Sequence, residues 1–245
     1  VPIAVSPDGF NINEECGSTK PEKAQKEVLE CNADIGICLD GDADRVLFID
    51  ERGKLANGDT IIGLLAEAWV NKNLLNKNTV VATVMSNLAL ELYLKKIGVS
   101  LIRTQVGDKN VSKCMNREGL NLGGEQSGHL ILADYSNAGD GLITSLQVLS
   151  VLVESKKKAS EVFNLFEPFP QSLINIDAQK CNDYEKNEQI KNRLENVERS
   201  LDGKGRILIR RSGTENVIRL MVEHKENNKL QETIDTCLSI LKKKR

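Results

Sequence analysis

The chain has 245 residues, 40% of them hydrophobic and 28% charged, with a formal net charge of −2. At ~100–200 residues per domain this is one or two domains, or three small ones, with enough chain for a sizeable core. The balance excludes overall disorder and collagen-like repeats, no apolar run reaches the ~18 residues of a membrane span, and a charge near zero argues against nucleic acid as the main partner. Residues 1–170 carry an acidic surplus and 171–245 a basic one, which the tail Lys242, Lys243, Lys244 and Arg245 supplies; that tail reads as a solvated helix end. Six cysteines, at 16, 31, 38, 114, 181 and 237, form no C-x-x-C pair. With only two histidines, the sequence carries no disulfide or zinc framework and suits a reducing cytoplasm. It begins Val1-Pro2-Ile3-Ala4-Val5, with neither Met nor signal peptide, and is expected to come from the middle of a protein.

In chain order, Ile35–Leu39 and Arg45–Ile49 read as strands, with a turn at Glu51–Lys54. Asp59 is placed to cap a helix to about Asn71, with Ile61, Ile62, Leu64, Leu65 and Trp69 apolar. Thr79–Thr83 is a strand. Ser86 is expected to cap a helix through Lys96, with Leu88, Leu92 and Ile97 inward and Gly98 as its stop. Ser100–Arg103 is a further strand and Leu142–Glu154 an amphipathic helix. This strand–helix–strand rhythm predicts an α/β fold with a largely parallel sheet. The helix Ala159–Phe166 runs into Glu167-Pro168-Phe169-Pro170, where two prolines make the best linker in the chain. Beyond it, strand 171–176, helix 185–199, strands 206–209 and 217–223 and helix 227–243 predict a small α+β C-terminal domain.

Three loops carry chemistry. In Asp40-Gly41-Asp42-Ala43-Asp44-Arg45, three carboxylates share one turn and repel each other unless a cation neutralises them. An oxygen-only set suits a hard cation, Mg²⁺ before Ca²⁺, and Gly41 is read as permitting the tight backbone. A solvated acidic turn and an Asp-nucleophile phosphatase loop remain open alternatives. An EF-hand does not fit, because Arg45 stands where that loop needs Gly and the flanks read as strands. Gly123-Gly124-Glu125-Gln126-Ser127-Gly128-His129 offers close backbone approach with acceptors and donors for sugar hydroxyls, and His129 is a candidate acid or base. Arg210-Arg211-Ser212-Gly213-Thr214-Glu215-Asn216, between two strands, has the composition of an anion cradle, to which Arg219 adds a further fork.

In this order the three loops resemble the α-D-phosphohexomutase superfamily over nearly the whole chain. Ser6–Ser18 is similar to the stretch before the family's metal loop, and Gly139-Asp140-Gly141 opens a helix as in the family. Glu-Gln-Ser-Gly-His resembles the sugar loop of the bacterial phosphoglucosamine mutase branch; phosphomannomutases usually carry Met at the position of Gln126. The resemblance implies a mixed-sheet α/β architecture in three pieces. Residues 1–55 would end a second domain and hold the metal loop, 56–168 would be a third, sugar-binding domain, and 171–245 a fourth, phosphate-binding one, hinged at Glu167–Pro170. It implies isomerisation of glucosamine 6-phosphate to glucosamine 1-phosphate, toward UDP-N-acetylglucosamine, through a phosphoserine and a bisphosphate intermediate. Asp40, Asp42 and Asp44 would bind Mg²⁺, with Arg45 and His129 catalytic. Glu125, Ser127, Lys109, Arg210, Ser212, Gly213, Thr214 and Arg219 would bind substrate. Other hexose phosphates, or a non-catalytic sugar-phosphate-binding remnant, are the alternatives.

Two stretches depart from the family pattern. Lys109-Asn110 stands for Arg-Tyr and loses the bidentate fork, and Asn216 stands for Pro. The family's nucleophilic Ser-His-Asn motif has no counterpart, because no Ser-His pair occurs in the sequence. The chain alone is therefore expected to be inactive. Its implied partners are a hexosamine phosphate and the missing N-terminal domains, with no nucleic acid and no membrane, and with a homodimer left open.

Overall fold

In the computed structural model, residues 1–181, 184–212 and 215–242 are described. Backbone contacts divide the chain into Val1–Glu167 and Pro168–Arg245.

The first unit begins with helix α1 (Glu22–Glu30) and three strands, β1 (Ile35–Leu39), β2 (Val46–Asp50) and β3 (Leu55–Ala56), in antiparallel order β1-β2-β3. Connections as short as 40–45 and 51–54 cannot cross over to a parallel neighbour, so these strands stand apart from the parallel sheet. That sheet follows α2 (Gly58–Asn71). It comprises β4 (Thr79–Thr83), α3 (Leu88–Lys96), β5 (Ser100–Thr104), α4 (Asp108–Glu118), β6 (Leu122–Gly124) and β7 (Leu130–Leu132), then α5 (Gly141–Ser155) and the short α6 (Ala159–Val162). Its order is β5-β4-β6-β7, with β4 parallel to β5 and β6, and β7 antiparallel to β6. The core gathers Phe48, Ile61, Ile62, Leu65, Leu90, Leu94, Leu122 and Leu130, with Phe163 against Phe48.

Two caps lie beside the residues the spacing suggests. Asn57, not Asp59, accepts from Thr60 N at the start of α2, and Asn87, not Ser86, accepts from Ala89 N at α3. Asp59 is drawn inward instead. Leu92 is 43% exposed, because α3 buries Leu88, Leu90 and Leu94. The helix expected over Ala159–Phe166 stops at Val162, and Phe166 packs on the core without helical backbone.

The second unit is a three-stranded antiparallel sheet in order β8-β10-β9, from β8 (Gln171–Asp177), β9 (Gly205–Arg211) and β10 (Val217–His224). Helices α7 (Glu188–Ser200) and α8 (Asn227–Leu241) pack on it through Ile190, Leu194, Ile234, Cys237 and Ile240. The fold is thus a mixed-sheet α/β unit followed by a small α+β one. The described residues contain no disulfide, and burial pushes the Cys38 and Cys237 thiols up to about 11. No helix among the described residues is long and apolar enough to cross a membrane.

Candidate active-site loops

The acidic loop closes the β1–β2 hairpin beyond the last pair, Leu39 with Val46. Asp40 N donates to Arg45 O (3.3 Å), and Asp40 Oδ1 accepts from Arg45 N (3.0 Å). The left-handed residue of the turn is Ala43 (φ 58°), whereas Gly41 makes room for Ile12. Carboxylate oxygens of Asp40, Asp42 and Asp44 lie within 4.8 Å of one another. Burial, and then hydrogen bonding and charge from the neighbouring aspartates, hold Asp44 above the usual carboxylate range, against the opposing pull of His129. Asp44 Oδ1 is buried without a hydrogen-bond donor, the Arg45 Nε standing 3.8 Å away. Three converging oxygen donors, one of them unsatisfied, fit a hard divalent cation.

The loop 125–129 leaves β6 at its C-terminal end and returns into β7. Glu125 N donates to His129 O (2.9 Å) and Gly128 N to Glu125 O (3.0 Å). Gly128 has φ 94°, which only glycine adopts without strain, and its O accepts from Val46 N (3.0 Å). Arg45 and His129 are antiparallel bridge partners, and His129 Nδ1 lies 3.0 Å from Asp44 Oδ2. The acidic loop and the 125–129 loop are therefore one structure. Their shared rim is closed by α5, whose Gly141 N donates to Ala43 O (2.8 Å). A Cβ at Gly139 would overlap the His129 ring.

Glu125 Oε1 accepts from Gly107 N (3.0 Å), so its carboxylate is held at the head of α4, while Ser127 is exposed. Lys109, in the first turn of α4, lines a cavity of about 560 Å³ together with Asp44 and His129. Gln126 turns the other way and donates to the buried Asp59 carboxylate (Nε2 to Oδ2, 3.1 Å). Burial pushes Asp59 upward, while hydrogen bonds from Asn87, Ser86 and Gln126 pull it back. The sequence marks Asp59 only as an acid entering an apolar run, and that signal reads equally well as a cap.

In the second unit, Arg210 on β9 stands directly opposite Arg219 on β10. Like charges in opposition destabilise a ladder unless an anion or carboxylate compensates them. Glu215 Oε2 accepts from Arg219 Nη2 (2.7 Å), and the Nε of both arginines is buried without a partner among the described residues. Glu215 N donates to Ser212 Oγ (3.3 Å), and Asn216 O accepts from Ala178 N (3.1 Å). Gly213 and Thr214 lie outside the described residues.

Solved phosphohexomutases share this fold. The Aspergillus fumigatus N-acetylphosphoglucosamine mutase, solved with GlcNAc-6P and magnesium, matches with a TM-score of 0.70 at 19% identity, over 93% of this chain and 53% of that one. A phosphoglucomutase/phosphomannomutase family protein from Burkholderia thailandensis matches at 0.73 and 20% identity, over 91% and 49%. Residues 57–169 match the family model of phosphoglucomutase/phosphomannomutase α/β/α domain III, and 173–237 that of the C-terminal domain. The chain belongs to the phosphoglucomutase/phosphomannomutase family. It is 50% identical to the phosphoglucosamine mutase of Zymomonas mobilis over 96% of this chain and 53% of the relative. It is 48% identical to that of Bradyrhizobium diazoefficiens over 98% and 54%. The chain spans about half the length of the curated relatives it matches.

Proposed function

We propose that these 245 residues are the metal-, sugar- and phosphate-binding part of a phosphoglucosamine mutase, which interconverts glucosamine 6-phosphate and glucosamine 1-phosphate. The observation that carries this reading is the union of the acidic loop with the 125–129 loop through Arg45 and His129. The relatives at 50% and 48% identity point to the same sugar. Asp40, Asp42 and Asp44 hold Mg²⁺, which offsets the charge of a phosphoryl group in transfer. Arg45 stands beside those carboxylates as a fixed cation. Glu125 and Ser127 hold sugar hydroxyls, and Lys109 supplies one positive charge in place of an arginine fork. His129, held with Nδ1 against Asp44, is the acid or base of the site. Arg210, Ser212 and Arg219, with Gly213 and Thr214, grip the phosphate that is not reacting.

No Ser-His pair occurs in the sequence, so the phosphorylated serine is supplied from outside these residues. The domain reading follows: 1–55 ends a second domain, 56–168 is the third and 171–245 the fourth. A reducing cytoplasm suits the absence of disulfides among the described residues. Calorimetry with Mg²⁺ tests the reading. Glucosamine 6-phosphate is expected to bind more tightly than mannose 6-phosphate, and the chain alone is expected to show no turnover when primed with glucose 1,6-bisphosphate. Tighter mannose 6-phosphate binding, or turnover without further chain, overturns it.

A further inference from the structure

The winding of the parallel sheet reverses at β4. The chain runs from β4 through α3 to β5 on one side, then through α4 to β6 on the other. At such a switch point the loops leaving the two middle strands part company, and open α/β sheets usually bind a ligand in the crevice between them. Here the crevice holds a side chain of the protein. Asp59, 1% exposed, places Oδ2 2.8 Å from Asn87 N in the loop after β4 and 3.1 Å from Gln126 Nε2 in the loop after β6. Asn87 is the N-cap of α3, so the carboxylate sits at a helix N-terminus, where negative charge is favoured. Arg103 reinforces the floor of this crevice, donating to Ser86 O (2.7 Å) and to Glu91 Oε2 (3.0 Å). Gln126 is anchored a second time, because its O accepts from Gly58 N (3.0 Å). Both its main chain and its side chain are thus tied to the first turn of α2.

We propose that Asp59 is a positioning residue for the 125–129 loop. Through the Gln126 side chain it fixes the pitch at which Glu125 and Ser127 are presented to the sugar. The inference rests on Glu125 and Ser127 being the sugar-gripping residues. The carboxylate acts as a built-in ligand that closes the switch-point crevice and turns it from a binding site into a mount. Asp59 touches no substrate; its effect is on loop geometry alone.

The test alters each end of the Gln126–Asp59 bond in the 245-residue chain. Gln126→Glu sets one carboxylate against another buried one. It is expected to weaken glucosamine 6-phosphate binding about tenfold in calorimetry, the loss of one hydrogen bond to a charged group. It is also expected to speed hydrogen exchange at the Gly58 and Gly128 amides. Asp59→Asn keeps a carbonyl oxygen in the place of Oδ2, able to accept from both Asn87 N and Gln126 Nε2, whereas Asp59→Leu removes it. Asp59→Asn is expected to hold both readouts to within about twofold of the parent while Asp59→Leu moves both, a rescue that a merely destabilised core would not show. Should Gln126→Glu fail to fold, Gln126→Leu removes the donor without adding charge and is expected to move both readouts in the same direction, less far. Unchanged exchange and affinity in Gln126→Glu, or an Asp59→Asn variant no better than Asp59→Leu, overturns the proposal. If the parent chain binds no glucosamine 6-phosphate, the functional reading fails, and amide exchange still decides the role of Asp59.

Discussion

Gly139→Ala tests whether the histidine is seated by its neighbours as tightly as the geometry shows. A methyl group at this position would fall 2.5 Å from His129 Cε1 and 2.6 Å from Cδ2, with Nε2 nearer still. The ring is 6% exposed and tethered to Asp44, so it can yield only by giving up that 3.0 Å contact. Overpacking costs about 1–3 kcal/mol. Losing a hydrogen bond to a charged acceptor costs about 1.5–3 kcal/mol. Replacing glycine returns about 0.4–1 kcal/mol through the unfolded chain. The net expectation is a loss of about 1.5–5.5 kcal/mol, read from urea unfolding midpoints at constant slope. The discriminating measurement is a cycle with His129→Ala. Without the ring the three atoms nearest the methyl group are gone, so Gly139→Ala should cost less than about 1 kcal/mol in that background. An equal cost in both backgrounds would refute the reasoning, because the strain would then arise elsewhere.

Three further expectations concern the other loops. Asp40→Asn, Asp42→Asn and Asp44→Asn together should abolish calorimetric Mg²⁺ binding; unchanged affinity would remove the metal assignment. Arg210→Ala should weaken glucosamine 6-phosphate binding by about tenfold or more, as expected for losing a charge-assisted contact to phosphate. Its stability in phosphate-free buffer should hold, because the substitution also relieves the opposition to Arg219, and an unchanged affinity would leave the loop an ordinary hairpin. Asp59 has a folded-state pKa raised by burial, so the native state binds the proton more tightly than the unfolded chain does. The parent should therefore lose stability as pH rises from the ordinary carboxylate range to that raised value, then level off. Asp59→Asn should lack this slope in urea unfolding followed across about pH 4–8, and parallel profiles for the two proteins would count against a raised Asp59.

The loops were legible before the fold was. Asp40–Arg45, Glu125–His129 and Arg210–Asn216 stand out because charge, hydroxyl and glycine concentrate in a few positions. β1 and β4 were legible because Ile35–Leu39 and Thr79–Thr83 are compact, β-branched runs. α4 was not, since Asp108–Glu118 buries only Val111, Cys114 and Met115 in an otherwise polar stretch. β6 was hidden for a different reason. Gly123 and Gly124 read as loop, yet a Cβ at Gly123 would stand 2.6 Å from Met115 Sδ and 2.9 Å from Val81 O. Glycine is there so that α4 can press onto the sheet, a tertiary demand that no local propensity expresses. Asp59 shows the same limit. Its neighbours make it a plausible cap, and only the meeting of three distant segments makes it a buried acceptor.

The main-chain ties around the acidic loop have a consequence for anyone redesigning it. The bridge from Arg45 to His129, the Val46 bond to Gly128 and the Gly141 bond to Ala43 all run through backbone atoms. Side chains at 40, 42 and 44 can be exchanged without touching those bonds, but a single inserted or deleted residue would put every one of them out of register. Loop length is therefore more tightly constrained than loop chemistry, although the Asp40 side chain also accepts from Arg45 N and Asp44 also meets His129. A library aimed at a different cation should vary residue identity here and leave the count of residues alone.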